Sequence, residues 1–336
     1  MTRSGKVVVT GGAGFIGSEV VRQLVLGSNC HVVVVDNLVN GLRENLADLP
    51  RTQVTLVETD IRNIDALASI LSGASVVYHL ACLGVRHSLH SPLESHAVNA
   101  SGTLGLLDAC RSAGVPRFVY VSSSEVYGTA RWAPMTEDHP TYPCTVYGAS
   151  KLAGECYARA YHQTYSYPTV MVRPFNTYGP RSHHEGDSGE VIPKFLLRSL
   201  AGRPLVIFGD GEQTRDFTYV SDSARGIIRA GMSDAAVGRT INLGSGSEVT
   251  INDLAQTVAR VAGHPRAQIQ YDAARPGDVL RLCANMEQAQ TLLEYEAGVP
   301  LVDGLTRLLE WYRSLGVSPE TLLEREVVRN WDIQAR

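Results

Sequence analysis

The chain has 336 residues, enough to bury a substantial core in one large domain or in two closely joined ones. Hydrophobic residues make up 44% of the sequence and charged residues 19%, the balance of an ordinary soluble globular protein. The formal net charge of −4 gives no electrostatic reason to expect a nucleic acid or a membrane surface as partner. The N-terminal apolar stretch is short and broken by glycine, so we expect no signal peptide or membrane span and a cytoplasmic protein.

The cysteines and histidines do not form a metal-binding pattern. The six cysteines are scattered and include no C-x-x-C pair, which fits reduced, structural thiols. His79, His87, His183 and His184 have no spacing that brings three ligands together with carboxylate support. We therefore expect no metal.

The first half of the chain alternates short apolar runs with helical stretches, which predicts βαβ units and a parallel sheet. The expected strands are Lys6–Thr10, His31–Asp36, Gln53–Glu58, Ser75–Ala81, Arg117–Ser122 and Pro168–Arg173. The expected helices are Phe15–Leu26, Asn99–Ala113, Ala149–Tyr165, Val191–Leu200, Val220–Ala230, Ile251–Val261 and Val302–Leu315.

After Arg173 the segments become irregular and rich in glycine, proline and charge. The pattern predicts an α/β fold with a Rossmann-type, doubly wound parallel sheet and a smaller C-terminal α/β lobe that binds substrate. We place the dinucleotide-binding domain at residues 1–173 and the second lobe mainly at 174–336, with segments near 216–243 returning to the first domain.

Gly11, Gly14 and Gly17 form a G-x-x-G-x-x-G loop between a predicted strand and a predicted helix. The first glycine permits a tight turn, the second lets a pyrophosphate approach the backbone, and the third allows close packing of helix on sheet. Asp36 ends the next strand, where a carboxylate can hold the adenosine ribose hydroxyls and would repel a 2′-phosphate. No arginine follows it immediately, so we expect NAD rather than NADP as the cofactor.

Tyr147 and Lys151 lie four residues apart at a predicted helix start and so share one helix face. A neighbouring ammonium, together with a positive nicotinamide ring, would lower the pKa of the tyrosine and make it a usable base. The segment Val121–Gly128 (VSSSEVYG) follows a predicted strand at the carboxyl edge of the sheet, where ligands of open α/β folds bind. A serine hydroxyl there can orient a substrate oxygen toward Tyr147.

Taken together, these motifs resemble the extended short-chain dehydrogenases/reductases of the NAD-dependent sugar-nucleotide epimerase/dehydratase family. The resemblance covers nearly the whole chain. The motifs are TGGAGFIG at Thr10–Gly17, DN at Asp36–Asn37, DIR at Asp60–Arg62, HLA at His79–Ala81, YGASK at Tyr147–Lys151 and RPFNTYGP at Arg173–Pro180.

The resemblance implies further site residues. Ser123, Tyr147 and Lys151 match the catalytic triad, with Glu125 as a fourth candidate. The cofactor set implied is Gly11, Gly14, Phe15, Ile16, Gly17, Asp36, Asn37, Asp60, Ile61, Leu80, Ala81, Asn99, Tyr147 and Lys151. The substrate set implied is Ser123, Ser124, Asn176, Val191, Arg215 and Arg275, in which the two arginines clamp a diphosphate with bidentate donors.

The resemblance also implies a nucleotide-diphosphate sugar as substrate and a homodimer formed by helices Asn99–Ala113 and Ala149–Tyr165. The shared chemistry deprotonates the sugar 4-hydroxyl and moves the C4 hydride to NAD, and the 4-keto intermediate then gives a C4 epimer, a 4,6-dehydration product or a decarboxylated sugar.

The residues after Ser123 bear on which outcome this chain produces. Family dehydratases and decarboxylases often carry Thr-Asp-Glu or Thr-Ser-Glu where this chain has Ser123-Ser124-Glu125, and Ser124 cannot protonate a leaving hydroxyl. We rank C4 epimerisation of a UDP-hexose or UDP-uronic acid first, and a 4,6-dehydratase or a UDP-glucuronate-type decarboxylase using Glu125 second. A uronic acid would suit the cationic segment Arg181–His184, although we favour the simpler explanation that these are solvent-exposed loop residues.

Two other classes of function compete with these. A non-enzymatic NAD-binding scaffold would be indicated by loss of Tyr147 or Lys151, and both are present. An ordinary dehydrogenase that releases NADH is disfavoured by the two diphosphate-type arginines and the long C-terminal lobe.

Overall fold

The computed structural model describes residues 5–27, 30–186, 188–275 and 279–331. The strands are β1 (Lys6–Thr10), β2 (His31–Asp36), β3 (Val54–Glu58), β4 (Ala74–His79), β5 (Phe118–Val121), β6 (Thr169–Pro174), β7 (Asn176–Tyr178), β8 (Leu205–Phe208), β9 (Thr214–Arg215), β10 (Phe217–Tyr219), β11 (Thr240–Leu243), β12 (Val249–Thr250) and β13 (Ile269–Asp272). The α-helices are α1 (Phe15–Gly27), α2 (Ile64–Leu71), α3 (Val85–His90), α4 (Pro92–His96), α5 (Thr103–Ser112), α6 (Val146–Tyr165), α7 (Val191–Leu200), α8 (Val220–Met232), α9 (Ile251–Val261), α10 (Glu287–Leu293), α11 (Leu301–Ser314) and α12 (Pro319–Leu322).

Seven parallel strands form the main sheet in the order β11-β6-β5-β4-β1-β2-β3. The chain runs outward from β1 in one direction and then restarts at β4 in the other, so the strand order reverses between β1 and β4. In open α/β sheets this reversal creates a crevice outside the carboxyl ends of the strands. The predicted Rossmann-type parallel sheet is confirmed.

Helices cover both faces of the sheet, which is why its strands are continuous valine-rich runs. On one face α1 and α8 pack against each other over a core that includes Val9 and Val34, both fully buried. On the other face α2, α5 and α6 pack over a second core that includes Val8 and Phe118.

A smaller α/β lobe follows β6. It contains three two-stranded ladders, β10 with β7, β12 with β9, and β13 with β8. Its core lies among α7, α9 and α11 and includes Leu196, Leu254 and Leu308. None of the helices within the described ranges is long and apolar enough to cross a bilayer.

Several elements differ from the sequence expectation. The helix expected at Asn99–Ala113 is π-helical over Ala97–Gly102 and becomes α-helical only at Thr103. Helix α6 begins three residues earlier than expected, because the Thr145 side chain accepts a hydrogen bond from the Gly148 backbone N–H at 3.0 Å and caps the helix. Helix α2 is capped by Asn63 in the same way, a start signal that the sequence reading overlooked.

Candidate active site

A cleft of about 840 Å³ lies between the carboxyl edge of the main sheet and the smaller lobe. Every residue expected to bind cofactor or substrate lines it, except Asn99. Those that line it are Gly11, Gly14, Phe15, Ile16, Gly17, Asp36, Asn37, Asp60, Ile61, Leu80, Ala81, Ser123, Ser124, Glu125, Tyr147, Lys151, Asn176, Val191, Arg215 and Arg275. The structure thus brings together residues spread over 265 positions of sequence, from Gly11 to Arg275.

The glycine loop leaves no room for side chains at two of its glycines. Gly11 has φ of +70°, and a Cβ there would lie 2.6 Å from the backbone N of Ala81. A Cβ on Gly17 would lie 2.0 Å from the carbonyl oxygen of Gly11, so this glycine lets the helix pack on the loop itself rather than on the sheet as expected. The contact with the sheet belongs to Gly12, which the sequence reading did not single out and whose Cβ would lie 2.9 Å from Cγ1 of Val34.

Asp36 is buried at the end of β2, and its carboxylate is fixed by the backbone. Its Oδ2 accepts a hydrogen bond from the Ala13 N–H at 3.0 Å, and its Oδ1 accepts one from the Leu38 N–H at 2.9 Å. The glycine loop and the end of β2 are therefore held together by one carboxylate, which places negative charge in the cleft wall.

Asp60 forms a second acidic position beside Asp36. Arg62 donates two hydrogen bonds to it, from Nε at 2.8 Å and from Nη2 at 2.7 Å, and Asn37 donates from Nδ2 at 3.0 Å. The guanidinium of Arg62 lowers the pKa of Asp60 to about 2. This carboxylate is therefore ionised at neutral pH and orients Asn37 in the cleft.

Asn99 lies behind the residues that line the cleft, and its contact with the cofactor stays a prediction. Its side chain is fully buried, where Oδ1 accepts from the Leu83 N–H at 2.8 Å and Nδ2 donates to the Leu83 carbonyl at 2.9 Å and to Ser150 Oγ at 3.1 Å. Asn99 thereby fixes the segment after β4. Two residues of this segment, Ala81 and Leu83, line the cleft.

Tyr147 and Ser123 both line the cleft, and their side chains share a hydrogen bond. Burial raises the pKa of the Tyr147 phenol, the charge of Cys82 raises it further, and a hydrogen bond with Ser123 works in the opposite direction. The expected lowering of this pKa by Lys151 is not found. The Lys151 Nζ instead donates to the Val121 carbonyl at 2.6 Å, and burial lowers the pKa of this amine.

Ser123 also organises the segment that follows it. Its Oγ accepts a hydrogen bond from the Glu125 N–H at 3.2 Å and caps a short 3₁₀ turn over Ser124–Val126. The turn buries Ser124 and leaves Glu125 partly exposed in the cleft, near enough that its carboxylate raises the pKa of Tyr147.

On the substrate side, Asn176 begins β7 and Val191 begins α7. The Oδ1 of Asn176 is buried and has no hydrogen-bond partner within the described part of the chain. A buried amide oxygen is costly unless something pairs with it, so this oxygen is available to a ligand in the cleft.

The two arginines expected at the diphosphate are held differently. Arg215 donates from Nη1 to the carbonyl oxygens of Thr214, at 2.8 Å, and Val279, at 2.6 Å. The Arg275 guanidinium carbon lies 4.9 Å from the ring centre of Phe208 and 4.8 Å from that of Trp331.

The cleft is also lined by charged side chains that the sequence analysis did not single out, among them Arg86, Glu190 and Lys194. Burial raises the pKa of Glu190 to about 8, although the charge of Arg86 opposes the shift. Burial also lowers the pKa of Lys194 to about 8. Glu190 directly precedes Val191, the first residue of α7, and no motif of the sequence marks it.

The segment Arg181–His184 is not the cationic patch considered as a uronic acid site. Arg181 pairs with Glu19 on α1 at 2.6 Å. Burial lowers the pKa of both His183 and His184, which favours their neutral forms. Across the described ranges, no group of three or more His, Cys, Asp or Glu side chains is arranged to hold a metal ion.

These features together define a dinucleotide-binding cleft. It has a glycine turn too tight for side chains, a buried carboxylate at the end of β2 and a Ser–Tyr pair at the same edge of the sheet. The model of the NAD dependent epimerase/dehydratase family matches residues 7–244. The chain belongs to this family, and the predicted enzyme class and NAD cofactor are confirmed.

Individual relatives cover several reactions. A UDP-glucose 4-epimerase of Mycolicibacterium smegmatis is 36% identical over 314 residues, spanning 92% of this chain and 99% of that protein. The structure of a Bacillus cereus UDP-glucuronic acid 4-epimerase in complex with UDP-glucuronic acid and NAD is 34% identical with a TM-score of 0.86, covering 92% of this chain and 99% of that one. A dTDP-glucose 4,6-dehydratase structure from Streptomyces venezuelae, with NAD bound, is 34% identical with a TM-score of 0.86, covering 92% and 97%.

Proposed function

We propose that this enzyme catalyses C4 epimerisation of a nucleoside diphosphate sugar, a UDP-hexose or UDP-uronic acid, through a transient 4-keto intermediate. The observation that carries the proposal is the Tyr147–Ser123 pair in the same cleft as the glycine loop and the arginines Arg215 and Arg275. The similarity to 4-epimerases from two bacteria, over nearly full length, supports it.

In this proposal Tyr147 removes the proton of the sugar 4-hydroxyl while Ser123 donates a hydrogen bond to the same oxygen. Lys151 holds the helix of Tyr147 to the strand that precedes Ser123, so the acid–base group and its partner keep a fixed separation. When bound, NAD supplies a hydride acceptor with a positively charged ring. The glycine loop and Asp36 would hold this cofactor, because the tight packing at Gly11 and Gly17 keeps the loop at the start of α1, where free backbone N–H groups suit a phosphate.

We propose that the smaller lobe, mainly residues 174–336, holds the nucleoside diphosphate. Asn176, Val191, Arg215 and Arg275 come from this part of the chain and face the domain of residues 1–173 across the cleft. Holding the diphosphate firmly while the sugar stays loosely held would let the keto-sugar present its other face before hydride returns.

Dehydration and decarboxylation are the second candidate, because Glu125 lies in the cleft near Tyr147. Both reactions need a group that acts at C5 or C6 of the sugar. The neighbouring position is Ser124, whose hydroxyl is a far weaker acid than a carboxyl group and cannot protonate a leaving hydroxyl. This favours epimerisation over dehydration, and the product analysis below separates epimerisation from decarboxylation.

The test is incubation of the purified enzyme with UDP-, dTDP-, GDP- and CDP-sugars, uronic acids included, followed by chromatography and mass analysis. A product of unchanged mass and new retention time is expected. Loss of water or of carbon dioxide would show that the second candidate is correct, and steady accumulation of free NADH would identify an ordinary dehydrogenase. Product formed in D₂O should carry no deuterium at C5, since epimerisation at C4 leaves that bond intact.

We also propose a cytoplasmic homodimer. None of the six cysteines, which all lie within the described ranges, forms a disulfide bond, as expected in a reducing compartment. Apolar side chains stand exposed on the two helices expected to pair, Leu104 on α5 and Tyr165 on α6. Sedimentation velocity of the wild type and of Leu104→Glu tests this, and a wild-type monomer would contradict it.

A further inference from the structure

The last described segment, residues 325–331, crosses the smaller lobe beside the cleft, and we name it the C-terminal strap. It lies outside the part of the chain that the family model matches, residues 7–244. Glu326, Val328 and Trp331 of the strap line the same cleft as Tyr147. The strap is therefore part of the wall of the active site.

The strap is held along its length to the start of the lobe. The Gly186 N–H donates to the Arg325 carbonyl at 2.8 Å, and the Lys194 Nζ donates to the Val327 carbonyl at 2.7 Å. Arg198 of α7 pairs with Glu326 at 2.8 Å, with both side chains nearly buried at 11% and 5% exposure. A shielded ion pair of this kind fixes geometry better than one in open solvent.

The end of the strap is held by contacts with β13 and with the segment before α7. Arg329 donates two hydrogen bonds to Asp272, at 2.9 and 2.6 Å, at the end of β13. The Asn330 Nδ2 donates to the Gly189 carbonyl at 3.2 Å. These contacts place the indole of Trp331 edge-on to Phe208, with ring centres 4.3 Å apart and planes at 85°.

The two rings form a corner that receives the Arg275 guanidinium, at 4.9 Å from Phe208 and 4.8 Å from Trp331. An arginine packed on aromatic faces keeps its charge and its N–H donors but loses much of its rotational freedom. Since a bidentate contact with phosphate depends on the orientation of the guanidinium plane, a fixed arginine binds a diphosphate more tightly than a mobile one.

We propose that Trp331 is a positioning residue for substrate binding, which together with Phe208 fixes the Arg275 guanidinium for contact with the diphosphate. The inference rests on the proposed function, because it takes a nucleoside diphosphate as the ligand of Arg275. The C-terminal strap then contributes to affinity for the nucleoside diphosphate without touching the groups that react.

The test is calorimetric titration of the full-length enzyme with UDP and, separately, with dTDP. Trp331→Ala is expected to raise the Kd of the nucleotide bound by the wild type about tenfold, the size of effect of one lost cation–π contact. Trp331→Phe keeps an aromatic face and is expected to restore binding to within about threefold. Trp132→Ala is the matched control, since Trp132 packs on His139 away from the cleft and should leave the Kd unchanged.

A purely structural role for Trp331 is separated by a double-mutant cycle. In the Arg275→Ala background, Trp331→Ala should change the Kd by less than about twofold, because the residue acts through the arginine. An equal loss in both backgrounds, or a Trp331→Ala enzyme that binds as the wild type does, would overturn the inference while leaving the proposed function intact. A wild-type enzyme that binds no nucleoside diphosphate, with GDP and CDP also tried, would overturn both.

Discussion

The side-chain amine of Lys151 donates a 2.6 Å hydrogen bond to the main-chain carbonyl of Val121. This contact joins helix α6, which carries Tyr147, to the end of β5, two residues before Ser123. Both residues are buried, so water competes little for the bond. The lysine therefore fixes the relative position of the two catalytic elements in addition to any charge that it supplies.

Tyr147→Phe should abolish turnover while leaving NAD bound. Removal of the hydroxyl that we propose takes the substrate proton is expected to lower kcat by about 10²–10⁴-fold, whereas the packing of the ring is kept. The measurement is product formation by chromatography, with the cofactor content read from the denatured enzyme. Tyr165→Phe, at the far end of the same helix and exposed, is the control that should keep wild-type activity. Near-normal rates for Tyr147→Phe would show that another group is the base.

Gly17→Ala should lose NAD and stability together. The new Cβ would lie 2.0 Å from the Gly11 carbonyl oxygen, a backbone atom that cannot move without opening the loop. Alanine is otherwise favourable in a helix, so any loss comes from this contact. Gly27→Ala lies at the end of the same helix, where an added Cβ would have no heavy atom of the described residues within 4 Å. This variant should keep both cofactor and stability. Cofactor content and Tm measure both variants, and equal behaviour of the two would contradict the reading of the loop.

Glu125→Gln distinguishes epimerisation from the alternative reactions. For an epimerase we expect kcat within about tenfold of wild type, and for a dehydratase or decarboxylase that uses this carboxylate a loss of about 10²-fold or more. The Glu125 carboxylate raises the pKa of Tyr147, so its removal lowers that pKa. The acid limb of the kcat–pH profile should therefore move to lower pH. An acid limb that stays where it is in the wild type would mean that Glu125 does not act on the phenol.

Glu190→Gln should change how stability depends on pH. Burial raises the pKa of Glu190 from 4.5 to about 8 in the folded chain, so the folded state binds more protons than the unfolded state between these values. Wild-type stability therefore falls as pH rises from about 4.5 to 8, and this contribution should be absent from the glutamine variant. The Tm of the variant should exceed that of wild type by about 2 °C or more at pH 8 and match it near pH 4.

The control for this pH experiment is Glu310→Gln, an exposed position on α11. Its Tm should follow that of the wild type across the range. Parallel curves for Glu190→Gln and wild type would show that the Glu190 carboxyl is not shielded from solvent in the folded enzyme.

Much of the fold was predictable because it is local. Strands β1 and β2 and helices α7 and α9 have the expected bounds, since each combines a clear apolar period with an end signal in its own residues. The short ladders of the smaller lobe were missed. Thr214–Arg215 pairs with Val249–Thr250, two-residue strands whose only cause is the meeting of distant segments.

The site was predictable to the extent that motifs mark chain positions at the sheet edge. What the motifs could not give is the partner of each side chain. The Asn99 side chain bonds to the Leu83 backbone, and the Lys151 amine bonds to the Val121 carbonyl. Glu190 lies in the cleft only because α7 packs there, a tertiary contact that its neighbouring residues do not encode.

Strand β11 completes the main sheet beside β6, yet more than sixty residues separate the two in sequence, among them β7, α7 and β8 of the smaller lobe. A ribosome must therefore release Leu243 before the sheet has its seventh strand, and until then β6 presents open N–H and C=O groups along its edge. The main sheet therefore cannot be complete before part of the smaller lobe has been synthesised. A gene fragment ending at residue 173 should yield an aggregating product rather than a miniature cofactor-binding protein.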